Sequence, residues 1–317
     1  YLKIKKKLNN NFEFDYIYFN TLSVIDKALS LFGSPFKQTK FSGLMPSINF
    51  HKSSKLTEFF FYKSFINKIL FKKCLTIKNL EKIFVPDIEF LKYANKNLNP
   101  KKKVCISYDF GFFDEKINSS KSKKIVPKKI VKQFKNNKTY ILIYGSIRYE
   151  KGLHYLLKAF SLINKNHNIN LIIAGKQDKF TKNYINYYKK LDNLKNKLLI
   201  YDHFISKNFE DYLFKKSSYI WTGYTKNYHG SSAVFFLSSK YFKPVITSNH
   251  GLINYYNKKF KIGFSCKINN IGDILKLLRF IQNKPRKISK KNFFLANKNH
   301  NQKKFSDNIY NNIFVNN

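Results

Sequence analysis

Two rhythms of apolar and polar positions run along this chain. From residue 138 onward, solid apolar runs take turns with longer segments whose apolar positions recur at helical spacing. The runs TYILIYG (139–145), INLIIAG (169–175), KLLIYD (197–202), YIWTGY (219–224) and PVITS (244–248) predict strands. Residues 151–164, 179–190, 207–217, 231–241 and 271–283 predict helices. Strands that are apolar throughout, each followed by a helix, predict a parallel sheet covered on both faces. The fold class is therefore α/β. Ligands of such sheets collect at the carboxyl ends of the strands.

Before residue 138 the rhythm is looser. FDYIYFN (14–20) predicts a strand, and TLSVIDKALSLFG (21–33) a helix closed by Gly33. A loop with Pro35, Gly43 and Pro46 follows. Residues 57–80 predict a helix, with Phe, Ile and Leu on a repeating face. Residues 82–97 predict a short strand and a helix that opens at Pro86-Asp87, and KKVCISYDF (102–110) another strand. Residues 1–11 read as loop, 114–126 as a lysine- and serine-rich linker, and 128–136 as a short helix. The break in rhythm sets a first domain at 1–136 and a second at 137–290. The opening on Tyr1, in mid-pattern and without Met, is what a fragment would show.

At 317 residues with 43 % hydrophobic positions, the chain can build two cores and is not a disordered protein. Its net charge of +42 raises the question of nucleic acid. Only Arg148, Arg279 and Arg286 are arginine among 60 basic residues, whereas base and phosphate readers favour the arginine fork. Nucleic acid is therefore not expected as a partner. A basic surface resting on an anionic membrane fits the lysines better. TEFFFYKSFINKILFKK (57–73) fits both a membrane-surface helix and a core helix, and the core is the favoured reading. Cys74, Cys105 and Cys266 are far apart and match no metal or redox spacing, so reduced thiols and a cytosolic setting are expected. The histidines show no metal-ligand spacing, and no metal site is expected.

The chemistry should lie at the strand ends. After 139–145 comes Gly145-Ser-Ile-Arg148-Tyr-Glu-Lys151-Gly152, a glycine turn with two cations at a helix start. Such a junction holds a phosphate, or else Lys151 is simply paired with Glu150. After 219–224, Gly230 permits close backbone approach, Ser231 and Ser232 open a helix, and His229 precedes them. After 244–248 stands a polar loop, SNHGLINYY (248–256), with Asn249.

Taken together, YGSIRYEKGLHYLLKAF, LIIAGKQD, YDHFISKNFEDYLFKKSSYIWTGY and HGSSAVFFLSSKYFKPVITSNHGLI resemble the donor-binding half of GT-B-fold glycosyltransferases of the family 4, "group 1" type. The likeness covers residues 138–285, about half of the chain. It implies two Rossmann-like domains with parallel sheets, the N-terminal one truncated. It also implies that 291–317 holds a C-terminal helix packing back on the N-terminal domain. The implied activity is transfer of a hexose from a nucleotide-diphosphate sugar to a glycan or lipid-linked acceptor, in surface polysaccharide synthesis. No cofactor and no metal are implied. The setting would be the cytoplasm, with the inner face of the membrane as an option. Lys151 and Arg148 would neutralise the donor diphosphate. Gly145, Gly230, Ser231, Ser232 and Asn249 would line the donor site, with His229 as the catalytic candidate.

The chain departs from the family pattern at three places. Ser146 stands where the family has an arginine, and His229 and Leu237 stand where it has two glutamates. A catalytically inactive relative that binds nucleotide or glycan, and a basic nucleic-acid binder, are the competing readings.

Overall fold

The computed structural model describes residues 14–36, 38–46, 48, 50, 58–98, 102–109, 126–135, 137–164, 167–194, 196–228, 230–283 and 288–315 (only the backbone for 58–61, 128–129 and 283). The loop expected at 1–11, residues 114–125 of the linker expected at 114–126, and His229 lie outside them. The described residues form two compact units, each with its own parallel sheet.

The first unit draws on Tyr1–Asp109, His229–Ser231 and Lys303–Asn317. Its sheet has the order β1 (Tyr16–Phe19), β2 (Lys40–Leu44), β3 (Leu80–Val85), β4 (Val104–Ile106), all parallel. Helices α1 (Asp26–Phe32), α2 (Glu58–Leu75) and α3 (Ile88–Asn97) connect the strands. The Asp87 carboxylate caps α3 by accepting from the amides of Glu89 and Phe90 at 2.9 and 3.2 Å. Leu29, Phe41, Phe71, Ile83, Val85 and Phe90 form the core. Each such side chain contributes about 1.5–3 kcal/mol on burial.

Strand β2 lies where the pattern predicted a loop. The segment KFSGL looks unlike a strand because Ser42 and Gly43 break its apolar run. Gly43 is there for packing. A Cβ at that position would come within 2.9 Å of the Cβ atoms of Leu22 and Phe19, so only a glycine strand fits beside them. Ser42 lies on the opposite face, where its Oγ is 2.5 Å from Tyr16 Oη.

The second unit holds Phe110–Tyr228 and Ser232–Gln302. Its strands are β5 (Thr139–Tyr144), β6 (Ile169–Ala174), β7 (Leu198–Tyr201), β8 (Tyr219–Thr222), β9 (Val245–Ser248) and β10 (Gly263–Cys266). They are parallel, in the order β10-β9-β8-β5-β6-β7. Its helices are α4 (Lys128–Val131), α5 (Leu153–Ser161), α6 (Lys179–Lys189), α7 (Lys207–Lys216), α8 (Ala233–Lys240), α9 (Gly251–Phe260), α10 (Ile271–Asn283) and α11 (Lys290–Asn299). Alternate strand residues face opposite helix layers. Ile141, Ile143, Leu171 and Ile173 pack with Leu156, Leu157 and Phe160. Tyr140, Leu142, Ile172 and Ala174 pack with Phe209, Leu213 and Phe235. Both faces are covered, which is why the strands read as unbroken apolar runs.

Three local differences have physical causes. Ile130 is buried in the second unit's core, with Val126 and Phe134 against it, so the short helix of 128–136 packs there and not with the first unit. Helix α9 begins inside the stretch 248–256 that reads as a polar loop, and strand β10 follows in a stretch where the pattern predicts no element. The spacing of Leu252, Ile253, Tyr256 and Phe260 is helical but interrupted by Asn, Tyr and Lys. Strand β10 is at the sheet edge and is held partly by polar groups. Ser265 Oγ accepts from Asn257 Nδ2 at 3.0 Å and donates to Asn254 Oδ1 at 2.9 Å. Cys74 and Cys266 are buried free thiols, and burial pushes both up to about 12.

Candidate functional site

Strands β5 and β8 are neighbours in the sheet but not in sequence. From β5 the chain winds outward through β6 and β7, and from β8 it winds the other way through β9 and β10. This is a topological switch point, where the loops leaving two strand ends part and a crevice opens. The predicted residues of the second unit lie on those loops.

The loop after β5 begins at Gly145, whose φ is +87°. Gly175, at the end of β6, lies hard against it. A Cβ on Gly175 would fall 1.8 Å from the Gly145 carbonyl oxygen. The loop then forms a 3-10 turn, Tyr149–Lys151, and helix α5 starts only after Gly152.

Lys151, which the sequence places at a helix start, lies in this 3-10 turn and is only 8 % exposed, with its ammonium turned back to donate to the Tyr144 carbonyl oxygen. A Cβ on Gly145 would lie 3.6 Å from the Lys151 Nζ, which puts the cation against the glycine turn. Burial, aided by the Arg148 charge, lowers its pKa to about 8. Among the described residues Lys151 forms no ion pair, with Glu150 or any other carboxylate. A buried cation without a counter-ion is costly, and an incoming anion relieves that cost.

Arg148 is exposed and begins the turn. Its charge reaches both sides of the loop. Partial burial works to raise Asp178, but the amides of Thr181 and Tyr149, with Arg148 nearby, hold that carboxyl below its usual range. Burial raises Tyr224, against a Ser232 hydrogen bond and the Arg148 charge that lower it.

The loop after β8 is stitched to the first one. The Thr225 amide donates to the Glu150 carbonyl oxygen at 2.8 Å, and Trp221 Nε1 donates to the Lys151 carbonyl oxygen at 2.8 Å. Ser232 is the residue before α8, but its hydroxyl does not cap the helix. It lies 3.0 Å from the buried Tyr224 hydroxyl instead. The loop after β9 joins them, with His250 Nε2 3.2 Å from the Thr225 carbonyl oxygen. Asn249 is exposed beside it, and its carbonyl oxygen accepts from Asn254 Nδ2 at 2.9 Å.

One sheet edge thus brings together Gly145, Arg148, Lys151, Ser232 and Asn249. Gly230 and Ser231 group with the first unit. Leu237, where the family pattern has a glutamate, is a core residue of the second unit at 4 % exposure. Among the described residues, no three of His, Cys, Asp and Glu are placed to hold a metal ion.

Sequence reasoning missed Tyr224 and Asp109. Tyr224 reads as the end of an apolar strand, and its contact with Ser232 depends on how the loop folds back. Asp109 follows β4 with no motif around it. Burial lifts its pKa to about 6, against a lowering hydrogen bond from Ser231. The folded value lies above the unfolded one. The native chain therefore binds more protons than the unfolded chain between about pH 4 and 6, and stability falls as pH rises through that window. Asp109→Asn is expected to stabilise the protein by on the order of 2 kcal/mol at pH 8 and to have little effect at pH 4. Urea unfolding at both values checks this, and a gain that does not change with pH counts against the assignment.

Comparison with known proteins bears on the family and the fold. The profile of the family "Glycosyl transferases group 1" matches residues 122–300, more than half of the chain. No curated protein sequence matches. Among solved structures, sucrose-phosphate synthase from Thermosynechococcus elongatus is similar with a TM-score of 0.70 at 12 % identity, over 97 % of this chain and 75 % of that one. Anabaena Alr3699/HepE in complex with UDP and glucose gives 0.67 at 13 %, over 97 % and 79 %. WaaG, a glycosyltransferase involved in lipopolysaccharide biosynthesis, gives 0.61 at 11 %, over 92 % and 80 %. At such identities the likeness speaks for the fold, which is GT-B with two Rossmann-like parallel sheets. By its sequence over residues 122–300, the chain belongs to the group 1 glycosyltransferases.

Proposed function

We propose that this protein transfers a hexose from a nucleotide-diphosphate sugar to a glycan or lipid-linked acceptor, in the synthesis of a surface polysaccharide. The observation that carries the donor half is Lys151, a buried cation with no ion-pair partner among the described residues, set against the Gly145 turn at the switch point. Family membership supports sugar transfer. Two similar structures hold UDP or UDP-glucose, which makes a uridine diphosphate donor the first to try.

The roles follow from charge and reach. Lys151 and Arg148 meet the negative charge that grows on the departing diphosphate, as fixed groups that need not reorganise. The Ser232 hydroxyl and the amino end of α8 face phosphate oxygen. Gly145 lets backbone approach the ligand closely. Asn249 is assigned to the sugar. No metal takes part in this scheme.

Calorimetric titration with UDP, GDP, ADP and CMP tests it. One nucleoside diphosphate is expected to bind. Its affinity should be flat between about pH 7 and 8, where the terminal phosphate is already ionised, and fall above that. The bound anion raises the Lys151 pKa, so above the free value of about 8 binding must take up a proton. Absence of binding to all four nucleotides would sink the donor reading. Leu237 in the core favours a second reading, a relative that binds donor without transferring it. Release of UDP from UDP-glucose on incubation with the protein would exclude that reading.

A further inference from the structure

Helix α2 is apolar on two sides. Phe71, Cys74 and Leu75 are buried, and the Leu70 carbonyl oxygen accepts from Ser30 Oγ of α1 at 2.7 Å. That face anchors the helix in the first unit. On the other side Tyr62, Phe65, Ile66 and Ile69 are 66 %, 53 %, 54 % and 48 % exposed. They are spaced three and four residues apart, so they form one stripe. The pattern at 57–73 reads as core, yet among its described apolar side chains only Phe71 is buried, and these four are exposed. The adjoining α1 adds Leu31 and Phe32, also exposed. Large side chains this exposed leave on the order of several hundred Å² of apolar surface, the scale at which a patch marks an interaction site.

The surrounding charge decides the occupant. Helices α1 and α2 carry Lys27, Lys63, Lys68, Lys72 and Lys73 against only Asp26 and Glu58. Lys72 and Lys73 fall at the next helical repeat after Ile69, so they extend the stripe itself and are exposed. Among the described residues no helix is long and apolar enough to cross a membrane. We infer that this face of the first unit rests on an anionic lipid surface, with Phe65, Ile66 and Ile69 entering the headgroup boundary and the lysines meeting lipid phosphates. A second copy of the chain would set the same lysines against each other, in a molecule of net charge +42. Nucleic acid would call for arginine and stacking aromatics, whereas half of the α2 stripe is isoleucine. An amphipathic face with apolar centre and lysine flanks suits a bilayer interface.

The test is sedimentation of the full chain with vesicles of phosphatidylcholine, with and without phosphatidylglycerol. Binding is expected only to the anionic vesicles, weakening with salt. The double variant Phe65→Ser, Ile66→Ser changes exposed positions and should keep the parent's near-ultraviolet circular dichroism while losing about tenfold or more in vesicle affinity. Lys63→Glu with Lys72→Glu and Lys73→Glu should lose the preference for anionic lipid. Failure of the parent to sediment overturns the inference, as does equal sedimentation of the double variant. A shift from dimer to monomer in the double variant by size-exclusion would assign the face to a second copy. None of these readouts depends on donor binding.

Discussion

Lys151→Met is expected to weaken nucleoside-diphosphate binding by tenfold to about a hundredfold while leaving the protein folded. Methionine keeps most of the lysine stem's volume and removes the charge. A hydrogen bond to a charged group is worth roughly 1.5–3 kcal/mol, which sets the size of the loss. The stability change is the sum of two opposed effects. The unfolded chain holds the Lys151 proton up to about 10.5 and the folded chain only to about 8. Holding the cation therefore costs folding energy below pH 8, and stability rises as pH climbs from 8 towards 10.5. Removing the charge relieves that cost. It also leaves the Tyr144 carbonyl oxygen without its donor, a loss of about 1–3 kcal/mol. The variant should thus melt close to the parent at pH 7 and lose the parent's gain in stability above pH 8. Calorimetric titration with UDP together with thermal melts across pH measures both. Full donor affinity in a folded Lys151→Met protein would remove Lys151 from the site. Alanine is the poorer probe, because it opens a cavity at a buried position.

Gly175→Ala should be the most damaging single-atom addition in the second unit. The added Cβ would fall 1.8 Å from the Gly145 carbonyl oxygen, and backbone is the obstacle, not a side chain that can swing away. The φ of +133° is itself poor for an L residue. Together these should cost about 3 kcal/mol or more, read as a lower urea midpoint. Any protein that still folds should bind donor weakly, since relief of the clash displaces the Gly145 turn and the lysine behind it. Gly33→Ala is the matched control. It also has a positive φ, +75°, but nothing lies within 4 Å of the new atom. It should cost about 1–3 kcal/mol, less than Gly175→Ala, because its φ of +75° and ψ of −167° strain an L residue but no atom obstructs the new one. Equal losses at the two glycines would mean that φ, and not the Gly145 contact, governs position 175.

The second unit was legible in the sequence because a sheet covered on both faces requires every strand position to be apolar. TYILIYG and INLIIAG have no polar residue inside the strand to confuse the pattern, apart from Asn170. The glycine turn and its two cations could be found for the same reason, since they stand where an unmistakable strand ends. The sequence alone thus determined the alternating α/β order, where the strands of the second unit end, and the family likeness. Tertiary structure decided the rest. A strand such as KFSGL is specified by what lies beside it, and Leu22 and Phe19 demand the glycine that hides the strand. Strand β10 is built at a sheet edge, where polar partners serve as well as apolar ones. Which way Lys151 points depends on a 3-10 turn, and turns leave no periodic trace. Whether Phe65 and Ile66 are core or surface cannot be settled by spacing, because a helix with two apolar faces has the same sequence in either setting. Burial and the lack of a counter-ion are properties of neighbours brought together by the fold, and those neighbours lower the Lys151 pKa to about 8 and raise that of Asp109 to about 6.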